Sequence, residues 1–196
     1  MTATARRAPG RPPPGRRHPD PAVRASAADA LDPVATGSPV EGRAVEGLVG
    51  LLEHDPEISV RRQAATTLRW LRYEEEHHAG IAADALERQA RSPDPEIRAH
   101  SVADALRRGA PDAYERLLAA PEPPGAHRQL LLGLMNVPGG HGFVLPSRAQ
   151  REALIERLEA LRATGWAERD ADADADFTAD DRAELLAALL KTPRNA

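Results

Sequence analysis

The sequence contains no cysteine. That one gap excludes disulfides, thiolate metal sites, iron–sulfur clusters and a cysteine nucleophile, and nothing else in the chain requires an oxidising compartment. Aromatic residues make up only 3% of the 196 positions, so any core must be packed by Leu, Ala and Val, which is a helical palette. Lysine occurs once, at Lys191, and arginine carries the rest of the positive charge, a usage that fits a GC-rich bacterial genome. There is no apolar run long enough to span a bilayer. The arginines near the start are not followed by the apolar stretch of a signal peptide, so the expectation is a cytoplasmic protein. The hydrophobic share of 41% is low for a compact enzyme, and 18 prolines punctuate the chain.

What the chain does have is helical periodicity. The segment Ala44 to Tyr73 reads as a complete antiparallel helix pair with its turn. Val45, Leu48, Val49 and Leu52 fall at i, i+3, i+4 and i+7, one apolar stripe on a first helix. Asp55 is placed to cap a second helix, with Pro56 at its first position and Glu57 where the helix dipole favours an anion. Val60, Ala64, Leu68 and Leu71 supply that helix's stripe.

A phrase in this unit recurs. DPAVRASAADAL from Asp20, DPEISVRRQAATTL from Asp55 and DPEIRAHSVADAL from Asp94 each begin with Asp-Pro, continue through a β-branched residue and Arg, and run through small residues toward Leu. Their starts lie roughly 35 to 40 residues apart, the interval at which self-similarity signals a helical solenoid. The phrase resembles the second helix of HEAT repeats, in particular the short HEAT-like kind named after phycocyanobilin lyases, from about Asp20 to Leu106. The resemblance implies an all-α, short right-handed alpha-alpha superhelix. It is specific for fold and silent on function, because such repeats serve many unrelated roles.

The domain reading follows from these marks. Residues 1–19 form an Arg/Pro-rich tail expected to be disordered. Residues 20–137 hold the repeats, with partner helices at Gly42 to His54 and Glu75 to Arg91 and a degenerate fourth pair at Pro111 to Ala119 and Gly125 to Asn136. The first copy has no helix before it, which leaves its apolar face half covered. A Gly/Pro linker spans 138–146. Residues 147–191 form a C-terminal helical pair: Ser147 and Gln150 make a capping box, the first helix stops near Gly165, and an acidic loop at 170–177 precedes the second.

Several residues qualify as sites. Arg24, Arg61 and Arg98 recur once per repeat, and the HEAT resemblance implies that they pair structurally with Asp20, Asp55 and Asp94 in a ladder. Partner binding is assigned to Arg62, Arg69, Trp70 and Arg107, because arginine and an aromatic are the usual anchors of an interface. Arg72, His100, His127 and Arg128 are secondary candidates, and Trp70 packed between repeats is the competing reading. No catalytic residue, metal or cofactor is expected. His77 and His78 are adjacent and so point to different helix faces, and the other histidines lack metal-binding spacing. No histidine is followed by Glu, the pair that HEAT-like deoxyhypusine hydroxylases use.

The resulting expectation is a non-catalytic scaffold or adaptor for an unidentified protein partner, with no membrane or nucleic-acid role. The alternative is a HEAT-like enzyme acting on DNA, as alkylpurine glycosylases do, or on a tetrapyrrole, as bilin lyases do. A net charge of -4 opposes phosphate binding, and Trp70 and Trp166 lie far apart in the sequence. No constellation beyond the repeat supports a tetrapyrrole. Asp170, Asp172, Asp174 and Asp176 resemble the first ligands of an EF-hand loop, but Ala175 stands where that loop needs Gly and Asp181 is short for its final Glu. The same residues also read as a soluble linker.

Overall fold

The computed structural model describes residues 18–35, 37–119 and 147–165, together with helical positions at 183, 184 and 187. The helix expected at 125–136, the linker, the acidic loop and most of the last helix lie outside the described residues. Among those described, every regular element is a helix. The helices are α1 (Pro21–Asp29), α2 (Leu31–Ala35), α3 (Glu41–His54), α4 (Ile58–Trp70), α5 (Glu76–Arg88), α6 (Pro95–Arg108), α7 (Ala113–Ala119) and α8 (Arg148–Ala163), with a 3-10 turn at Gln89–Arg91. No helix among the described residues is long and apolar enough to cross a membrane.

The Asp-Pro phrases act as helix starts, with one exception. Asp20 precedes α1 and accepts the amide of Ala22, while Asp94 precedes α6 and accepts the amide of Ile97; in each a proline supplies the first turn without wasting a donor. The second copy departs from the expectation. α4 begins at Ile58, so Pro56 stays outside the helix and Asp55 is not its cap; Glu57 takes the cap position without a side-chain bond. The reason lies in spacing, because two more residues separate Asp55 from Val60 than separate Asp20 from Val23. The Asp55 carboxylate instead accepts the amide of Glu57 and the guanidinium of Arg24.

The chain divides into two compact units, Met1–Ala82 and Ala83–Ala196. In the first, α4 is central and packs against both α1 and α3, with α2 closing one side. Val45, Leu48 and Leu52 of α3 meet Val60, Ala64, Leu68 and Leu71, all buried as their spacing requires; Leu51 joins them and Val49 is half-buried. Each fully buried Leu or Val contributes roughly 1.5 to 3 kcal/mol from removal of apolar surface from water. Val23 of α1 is 43% exposed, whereas its counterparts Val60 and Ile97 are fully buried.

In the second unit α6 packs on the 3-10 turn and on α7, and α7 meets α8. Ile97, Val102, Leu106, Tyr114 and Leu117 fill its interior, and Leu154, Leu158 and Leu161 form the buried stripe of α8. α6 ends at Gly109, whose φ of 68° is the left-handed conformation that closes a helix. The Ser147–Gln150 capping box at α8 is present in both directions, and Gly165 follows that helix with a φ of 68°.

Candidate functional site

The exposed face of α4 is the candidate. Ser59 is exposed, Arg62, Gln63 and Thr66 are half-buried, and Trp70 is exposed at the end of the helix. Arg62, Thr66 and Trp70 stand at i, i+4 and i+8, so a 3.6-residue period sets them in one row. The row is held by its own backbone and by α1. The Thr66 hydroxyl donates to the Arg62 carbonyl at 3.1 Å, and the Gln63 amide donates to the Asp29 carboxylate at 2.9 Å.

Trp70 is 41% exposed, one of two large apolar side chains among the described residues that stand out in this way. A packed position between repeats is therefore not where it lies. Arg69, in contrast, is buried at 2% exposure and is not a surface anchor. Its guanidinium carbon sits 4.5 Å from the centre of the Trp70 ring, close enough for attraction to the ring's negative face. Arg69 thus supports Trp70 from beneath. After it the chain turns extended: Leu71 is buried, Arg72 exposed, and the Tyr73 hydroxyl donates to the Leu68 carbonyl, satisfying one of the last carbonyls of α4.

Arg107 is exposed, on a different helix. It belongs to α6 in the second unit, where its Nη2 donates to Asp104 at 2.8 Å while Arg108 Nε donates to the other carboxylate oxygen at 2.7 Å. Asp104 is fully buried, and a buried carboxylate demands such partners. His100 is also fully buried, which removes it from the contact surface. Both follow from α6 being covered on nearly every side, a property the apolar stripe alone does not reveal. His127 and Arg128 lie outside the described residues.

Of the three recurring arginines, Arg24 joins one repeat to the next. Arg24 reaches forward to the next repeat and grips Asp55 through two parallel bonds, Nε to Oδ2 and Nη2 to Oδ1, both 2.8 Å. That bond to Asp55 is also the main reason the Arg24 pKa is raised, with burial working against it. Its Nη1 donates backward to the carbonyls of His18 and Pro19. Arg98 repeats the backward grip on Ser92 and Pro93. Arg61 Nε is buried and makes no hydrogen bond.

Sequence reasoning overlooked one polar cluster. Glu41, at the start of α3, is 3% exposed and accepts His78 Nδ1 of α5 at 2.8 Å, with the amides of Gly37 at 3.0 Å and Glu74 at 3.4 Å. The His78 bond, reinforced by these amides against the cost of burial, holds the Glu41 carboxyl below its ordinary value. The two residues lie 37 apart, as do Arg24 and Arg61, and Arg61 and Arg98; pairing side chains at that period is the signal that finds them. Among the described residues, no three His, Cys, Asp or Glu side chains gather as a metal site would need.

Residues 15–107 match a family model described as HEAT repeats. No curated protein and no solved structure matches the chain.

Proposed function

We propose that this chain, a HEAT-repeat protein through residues 15–107, is a non-catalytic scaffold or adaptor that binds a protein partner along the exposed face of α4. The observation that carries the reading is Trp70, left exposed at the end of a well-packed helix and steadied by the buried guanidinium of Arg69. An exposed, pre-oriented indole offers large contact area with little ordering cost, which is why such residues dominate interfaces. Arg62, in the same row, adds charge selectivity, while Arg69 acts as a support and Arg107 as an ion-pair partner of Asp104.

The test compares the proteins captured from the native host by the wild-type chain and by the variants Trp70→Ala and Arg62→Glu. Partners captured specifically by the wild type are expected to be lost from both variants and retained by Arg148→Glu, a change at a 90% exposed side chain on α8. Retention of every specific partner by the Trp70 and Arg62 variants would move the binding face elsewhere. Cytoplasmic residence is part of the same proposal and is checked by fractionation.

A further inference from the structure

The cluster around Glu41 joins three stretches of chain that are separate in sequence. One carboxylate receives the Gly37 amide from the turn before α3, the Glu74 amide from the connection after α4, and the His78 ring from the first turn of α5. Two glycines permit the approach. Gly37 has a φ of 62° and lies against the Glu74 carboxylate, and a Cβ on Gly42 would stand 2.7 Å from His78 Nε2, so that the ring would have to shift to admit one. The His78 side chain is 18% exposed and that of Glu41 4%, so water reaches the ring edge but scarcely the carboxylate.

We propose that Glu41 and His78 form a pH-sensitive clasp that holds the first turn of α5 to the start of α3, tight while the carboxylate is ionised and the imidazole protonated, and weaker once either charge is lost. The groups around the ring agree with this. From α3 come Glu41 and the backbone of Gly42, and from α5 the neighbouring His77, whose ring centre lies 5.9 Å away, while the amides of Glu74 and Glu75 face the Glu41 carboxylate. Among the described residues, neither Glu41 nor His78 has an arginine partner, so the imidazole is the cation available to the buried carboxylate. Histidine is the side chain whose charge ordinarily changes between pH 5 and 8, and a charge-assisted hydrogen bond is about twice as strong as a neutral one.

The experiment reads the Gly37 and Glu74 amides by hydrogen exchange on the full chain at pH 6 and pH 8, after correction for intrinsic exchange. In the wild type their protection should fall about fivefold from pH 6 to pH 8, the factor that corresponds to the roughly 1 kcal/mol by which a charge-assisted bond exceeds a neutral one. In His78→Gln, which keeps a donor and loses the charge, protection should not change with pH. His77→Gln should behave as the wild type. Equal protection of the wild type at both pH values, an undiminished fall in His78→Gln, or loss of the fall in His77→Gln would each overturn the clasp. If His78→Gln does not fold, the wild type and His77→Gln decide the matter between them.

Discussion

Truncating Leu68 to alanine tests the helical register of the first unit most directly. Leu68 is fully buried in α4, which packs against both α1 and α3. The change removes three carbon groups, worth about 0.8 kcal/mol each in lost transfer from water. If the surrounding Val and Leu side chains relax only partly, a residual cavity of about 60 Å³ adds about 1.4 kcal/mol. The expected loss is therefore about 4 kcal/mol, against a total stability of roughly 5 to 15 kcal/mol for a domain. Leu68→Asp should cost more, because it adds an unpaired charge to the same place. The assay is urea unfolding followed by Trp70 emission in a Trp166→Phe background, with Thr66→Ala as the half-exposed control on the same helix. A loss below about 1 kcal/mol for Leu68→Ala would refute the packing argument, since no fully buried leucine in a close-packed core is removed so cheaply.

Far-UV circular dichroism should report a predominantly helical chain, and a strong sheet signal would contradict the repeat architecture. Ser147→Ala should destabilise α8 by about 1 kcal/mol through loss of its capping box, read as faster exchange of the amides in its first turn. Gly109→Ala forces a side chain into the left-handed region and should cost about 1 to 2 kcal/mol by thermal unfolding; no change would mean that α6 ends differently. Because the folded Glu41 carboxyl lies below its ordinary value of 4.5, its contribution is fully present above that value and is lost as pH falls through the lowered one. The stability gap between wild type and Glu41→Gln should accordingly shrink in solution more acidic than about pH 5, and narrow again from pH 6 to pH 8 as the clasp with His78 loosens.

The helices were readable because their signals are local. The stripes of α3 and α4, the Asp20 and Asp94 starts and the Ser147 capping box each depend on residues within a turn or two of one another. The start of α4 was not, since two extra residues follow Asp55 and its carboxylate is bonded to Arg24, 31 residues earlier. The candidate site was half legible: Arg69 and Trp70 were found as a pair, but which of two adjacent residues faces water depends on how α1 and α3 flank α4. His100 was misjudged for a related reason, because α6 is buried on faces whose residues are polar; Arg107 is exposed, and only its bond to Asp104 was not foreseen. Glu41 and His78 stayed hidden for want of any local mark, although the repeat period itself brings them together.

The grip of Arg24 also defines a path for mechanical load. One guanidinium ties the carbonyls of His18 and Pro19 to the carboxylate of Asp55. Force on the segment before α1 reaches the turn before α4 through that one side chain, so α1 cannot leave α4 until both bonds to Asp55 are broken.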